Sequence, residues 1–89
     1  MILEFDKSFF KSLDKIKLQS VKTKTELLIS TFEKADSLQN IPHIKKLAGF
    51  KNYCRIRIGN YRPGFELIGN NTVRFIVIGD RKDIYRLFP

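Results

Sequence analysis

Gly59-Asn60 constrains this chain more than any other pair of residues. It lies between two alternating segments, Tyr53-Cys-Arg-Ile-Arg-Ile58 and Tyr61-Arg-Pro-Gly-Phe-Glu66. Glycine at the first central position suits a type II′ turn, the connection that joins neighbouring antiparallel strands. A two-residue turn also sets the register: Ile58 faces Tyr61, Arg57 faces Arg62, Ile56 faces Pro63 and Arg55 faces Gly64. Because strand side chains alternate, Cys54, Ile56, Ile58, Tyr61, Pro63 and Phe65 share one face, while Tyr53, Arg55, Arg57, Arg62 and Glu66 share the other. The first set is a core and the second a cationic platform. Like charges directly opposite on a strand pair cost up to about 1 kcal/mol, so Arg57 across from Arg62 calls for an anion. The plainer reading leaves the arginines solvated on an open face, with Arg55 or Arg57 paired to Glu66.

The rest of the chain supplies the cover for that core. Met1 to Phe5 alternates weakly and reads as a short strand, and Asp6 is suited to cap a helix behind it. From Lys7 to about Leu18, Phe9, Leu13 and Ile16 recur at helical spacing with Phe10 beside them, and the lysines mark the wet side. Between Gln19 and Ser37, Val21, Thr25, Leu28, Phe32 and Ala35 form a second helical stripe. Leu38 to Asn52 has no clean period and is broken by Pro42 and Gly49, so it reads as a connection with a helical turn around Ile44 to Leu47. His43, the only histidine, is far in sequence from the arginines and reads as a surface loop residue.

Gly69-Asn70-Asn71 closes a second hairpin. A three-residue loop pairs Ile68 with Thr72, Glu66 with Arg74, Phe65 with Phe75 and Arg62 with Ile78. That places Leu67, Val73, Phe75 and Val77 toward the helices and makes Glu66 to Arg74 a cross-strand ion pair. Gly79 to Asp83 then emerges at the edge of the platform. In the tail, Leu87 and Phe88 are apolar enough to pack on the body, which leaves Tyr85 or Arg86 free. The fold class is α+β, in the order β-α-α-β-β-β: a helical hairpin on one face of a mainly antiparallel sheet, with a short C-terminal tail.

Eighty-nine residues suffice for one small core, so residues 1–89 read as a single domain. Lys and Arg number 17 against 9 Asp and Glu, a net charge of +8 that favours a polyanionic partner, nucleic acid before membrane. The single cysteine excludes an internal disulfide and a Cys-rich metal site, and Cys54 falls on the core face. Glu4 and Asp6 sit where a secretory leader would need an apolar run, so the chain reads as cytoplasmic. No membrane partner, no cofactor and no metal ion is expected.

What remains is a constellation of Arg55, Arg57, Arg62, Arg81 and Tyr85, without a Ser/Cys/His arrangement or a Gly-rich phosphate loop. Guanidinium groups beside a phenol suit the binding of a nucleic-acid phosphate and the stabilisation of charge as it is transferred. RNA carries its own nucleophile in the 2′-hydroxyl, so neither activated water nor metal is needed.

Lys46-Leu-Ala-Gly-Phe50, the strand Tyr53-Cys-Arg-Ile-Arg-Ile58, Gly59-Asn-Tyr-Arg62 and the run Val73-Arg-Phe-Ile-Val-Ile-Gly-Asp-Arg-Lys-Asp-Ile-Tyr-Arg-Leu-Phe88 together resemble the RelE/ParE superfamily of type II toxins, on the RelE side. The resemblance spans essentially the whole chain. It implies a ribosome-dependent mRNA endoribonuclease, in a hetero-oligomer with a cognate antitoxin that neutralises it. Carried over by position, Arg57, Arg62, Arg81, Tyr85 and Asp80 become the catalytic set, and Arg55, Lys51, Tyr53, Lys82 and Arg86 the RNA-binding set. The chain departs from the pattern where lysines are replaced by Arg55 and Arg57, and where a frequent histidine is replaced by Asp80. Arginine rarely gives up its proton, and an ionised Asp80 could serve only as base or orienter. Two alternatives stand beside this reading: a ParE-like gyrase inhibitor, which would not need the arginine and tyrosine set, and a non-catalytic binder of RNA or antitoxin.

Overall fold

The structure is a computed structural model that describes residues 1–50 and 52–88. Strand β1 (Ile2–Phe5) leads into helix α1 (Lys7–Asp14) and helix α2 (Gln19–Lys34), and a 3₁₀ turn (Leu38–Asn40) follows. Strands β2 (Ile44–Lys46), β3 (Tyr53–Ile56), β4 (Tyr61–Ile68) and β5 (Thr72–Asp80) precede the short helix α3 (Ile84–Leu87). The strands form one five-stranded sheet in the order β1-β5-β4-β3-β2. All neighbours are antiparallel except β1, which lies parallel to β5. No helix among the described residues is long and apolar enough to cross a membrane.

The expected β3–β4 register is observed. Ile58 bridges Tyr61, and Cys54 and Arg55 pair with Phe65 and Gly64. Gly59 has φ 57, whereas Asn60 is not among the residues with positive φ, as a type II′ turn requires. Cys54, Ile56, Phe65, Val73 and Phe75 are buried under Phe9, Ile16, Val21 and Phe32 of the helical layer. Phe75 sits at the centre of an aromatic cluster, its ring centroid 5.1 Å from Phe32, 5.4 Å from Phe9 and 5.5 Å from Phe5.

Four expectations are corrected. Ile44 to Leu47 is not a helical turn: Ile44–Lys46 pairs with β3, Ile44 opposite Ile56 and Lys45 opposite Arg55. The helices are shorter than expected, since α1 ends at Asp14 rather than Leu18 and α2 at Lys34 rather than Ser37. Asp6 occupies the N-cap position of α1 without a side-chain capping bond; its carboxylate lies 3.8 Å from the Arg74 guanidinium instead.

The fourth correction changes a face. A bulge at Ile76 sets Gly64 opposite Val77 and Phe65 opposite Phe75, so Arg62 pairs with Gly79, not Ile78. One extra residue reverses the alternation, which turns Ile78 toward the helices and Val77 away from them, into a second cluster with Ile84 and Phe88. Helix α1 takes up backbone groups beside the bulge. The Ser8 hydroxyl donates to the Ile76 carbonyl, and the Ile78 amide donates to Ser12 Oγ at 2.9 Å.

Candidate active site

On the sheet face away from the helices, Arg55, Arg57, Arg62, Arg81 and Tyr85 line one concavity of about 590 Å³. Backbone geometry brings them together. The β3–β4 hairpin supplies Arg55, Arg57 and Arg62, and the turn after β5 is tied to the hairpin tip by the Arg81 amide, which donates to the Asn60 carbonyl at 2.7 Å. Arg62 is further held by its own hairpin, Nη1 donating to the carbonyls of Gly59 (2.8 Å) and Tyr61 (3.0 Å).

Tyr85 is placed by the tail. Phe88 packs over Gly64 so closely that a Cβ there would lie 2.5 Å from its ring, and it meets the Tyr53 ring edge-on at 5.3 Å. This anchors α3 across β4. The Tyr85 ring then covers the Arg55 guanidinium, 4.6 Å from centroid to Cζ, while staying 68% exposed. Such a cation–π contact fixes the guanidinium and leaves the other side of the phenol ring open. Arg55 Nε is buried without a hydrogen-bond partner.

The electrostatics are those of an anion site. The ion pairs among the described residues involve Arg74 and Arg86, and none reaches Arg55, Arg57, Arg62 or Arg81. Glu66, the partner in the solvated reading, is 3.8 Å from Arg74 instead. Burial, and then the fields of Arg57 and Arg81, push the Arg62 guanidinium below its ordinary range; Tyr85 opposes that shift and Arg55 adds to it.

Other sequence-assigned residues fall elsewhere. Asp80 is outside this concavity, its Oδ1 accepting the amides of Lys82 (2.9 Å) and Asp83 (2.8 Å). Lys82 lines an adjoining hollow with Asn60, Asp80, Arg81 and Tyr85. Tyr53 is half-buried under Phe88, and Arg86 is turned to Asp83 at 2.7 Å on the α1 side of the tail. Leu87 is half exposed but lies against Gly79 as expected, and Ile84 and Phe88 are buried against Val77, so the three together anchor the tail. Lys51 lies outside the described residues.

Two lining residues were not anticipated, His43 and Lys45. Both arrive through β2, whose pairing with β3 sets Lys45 beside Arg55 and carries His43 to the level of Arg57. Ile44-Lys45-Lys46 does not alternate, so no local signal announced either residue.

No family model matches the chain. A search of curated proteins finds Toxin RelE3 of Methanocaldococcus jannaschii, 38% identical over 86 residues and covering 96% of both chains. The chain belongs to the RelE family of toxins. Among solved structures, the RelB–RelE antitoxin–toxin complex from Methanococcus jannaschii is similar at 37% identity, with a TM-score of 0.81 over 97% of this chain and 99% of that one. The archaeal RelE–RelB complex from Pyrococcus horikoshii shares the RelE fold at 16% identity, with a TM-score of 0.71 over 90% and 93% of the two chains.

Proposed function

We propose that this RelE-family chain is the toxin of a toxin–antitoxin pair and cleaves mRNA on the ribosome without a metal ion. The observation that carries the reading is the set of arginines lining one concavity, with no acidic partner among the described residues. Arg62 and Arg81 meet the charge that develops on the phosphorane, Arg55 and Arg57 hold the backbone, and the open face of Tyr85 stacks on the nucleotide. Asp80 fixes the turn that presents Arg81 and acts as a positioning residue. The 2′-oxygen attacks the adjacent phosphorus and the bond to the 5′-oxygen breaks, leaving a 2′,3′-cyclic phosphate and a 5′-hydroxyl.

Mapping the ends of ribosome-bound mRNA after expression tests the reading. Cyclic phosphates and 5′-hydroxyls are expected. Products with 5′-phosphates, or intact mRNA in cells that die with damaged DNA, would overturn it, the second in favour of a gyrase inhibitor.

The protein partner is an antitoxin, as in the RelB–RelE complexes the fold resembles. A chain of net charge +8 calls for an acidic antitoxin segment on the arginine face or in place of the tail that carries Tyr85. Either arrangement gives affinity that weakens with salt. Affinity unchanged between low and high salt, and after Arg57 and Arg62 are neutralised, would remove the arginine face as the docking site.

A further inference from the structure

We infer that His43 is the proton acceptor for the 2′-hydroxyl, an inference that rests on the ribonuclease reading above. Attack by a 2′-oxygen needs a group that takes its proton, and arginine and lysine stay protonated near neutral pH. Asp80 is occupied by two backbone amides outside the concavity. Of the side chains that line the concavity, imidazole alone ordinarily titrates near neutral pH.

The backbone at His43 has a conformation that calls for an explanation. It is the only described non-glycine residue with positive φ, at 68, in the left-handed region that L residues enter at a cost and that histidine enters more often than most. It lies between Pro42 and Ile44, the residue at which pairing with β3 begins opposite Ile56. The other charged and titratable groups lining the concavity are Lys45 of β2, Arg55 and Arg57 of the β3 segment, Arg62 of β4, Arg81 of the following turn and Tyr85 of α3. No carboxylate is among them, so no acidic side chain of the lining competes for the proton.

The 2′-hydroxyl proton passes to the neutral imidazole of His43, the O2′–P bond forms, and the P–O5′ bond breaks. The 5′-oxygen takes a proton from water, and the hydroxide left behind is neutralised when the imidazolium returns its proton.

The test measures cleavage of mRNA on purified ribosomes by the full chain, as a function of pH, for the wild type, His43→Asn and His43→Gly. Asparagine and glycine both tolerate the left-handed backbone, so these variants remove the imidazole and keep the turn, which thermal melting verifies. The wild-type rate should show a limb rising through the imidazole range, and both variants should lose that limb with about 10²-fold or more in kcat. Ribosome affinity should stay unchanged, and added imidazole should restore part of the rate to His43→Gly in a saturable way. Variants within about twofold of the wild type, or a limb that survives in them, would overturn the assignment and leave the ribonuclease reading in place. A wild type that cuts no mRNA at any pH would overturn both.

Discussion

Arg74 and Arg62 stand on neighbouring strands of one sheet, and the chain treats them in opposite ways. Arg74 Nη2 meets Glu4 at 3.1 Å, with Asp6 and Glu66 each 3.8 Å away; the Glu4 hydrogen bond, ahead of the carboxylate charges, raises its pKa. Among the described residues Arg62 bonds only to carbonyls of its own hairpin, and burial, then the surrounding cations, lower its pKa. The sheet therefore satisfies an arginine completely where that arginine serves the fold. Further along the same face, beyond Gly64, it collects arginines against the local electrostatic preference, and an anion from outside is the missing partner.

Alanine at each arginine separates the two regions most strongly. Removal of one group that stabilises developing charge commonly costs on the order of 10²–10³ in rate, so Arg62→Ala and Arg81→Ala should lose that much cleavage and much of their toxicity. Arg74→Ala should cleave at the wild-type rate and melt slightly lower, since exposed ion pairs contribute little. If Arg74→Ala proved as inactive as Arg62→Ala, the distinction between the two regions would be wrong.

Anion linkage is the next largest effect. A polyphosphate at a hundred times its dissociation constant stabilises the folded state by about 2.7 kcal/mol. Differential scanning calorimetry should show this upward shift for the wild type and its loss in Arg57→Gln/Arg62→Gln. The shift should survive in Arg74→Gln.

Gly64→Ala addresses the cover over the cationic face. Its Cβ would lie 2.5 Å from the Phe88 ring, and overpacking of this kind costs about 1–3 kcal/mol. The tail should loosen, Tyr85 should leave Arg55, and cleavage should fall together with the melting temperature. An unchanged melting temperature would mean that the tail is not seated as described.

The smallest effect has the most telling sign. Since like charges face each other in the hairpin, Arg57→Gln should stabilise the domain by up to about 1 kcal/mol, a few degrees in melting temperature, while weakening RNA binding. A variant that is less stable as well as less active would show that Arg57 serves the fold.

Much of this contrast was legible in the chain because a two-residue turn leaves no freedom of register. Gly59-Asn60 therefore put Arg55, Arg57 and Arg62 on one face and Cys54, Ile56 and Phe65 on the other. The phase of β5 was not legible beyond Phe75. Val73 to Ile78 is apolar at nearly every position, so a bulge at Ile76 leaves no mark in the pattern. Strand β2 was missed for a different reason. Three residues, two of them lysine, carry almost no strand signal of their own, and only pairing with β3 makes them a strand. His43 is the exposed loop residue the sequence indicated, but its place beside the arginines was not legible, since distance along the chain says nothing about a neighbour acquired across a sheet. The capping role of Asp80 was available locally, because an aspartate at the head of a turn can accept amides two and three residues on.

The parallel seam between β1 and β5 also governs when the molecule can come into being. Glu4 and Arg74 bond across 70 positions of chain, so the first strand synthesised must wait for nearly the last before the sheet can close. Contacts this distant slow folding, because a large loop has to be ordered before any pairing rewards it. Arg81 and Tyr85 lie later still in the chain. A growing polypeptide therefore bears the arginine hairpin without a closed concavity until β5, Arg81 and Tyr85 have followed it.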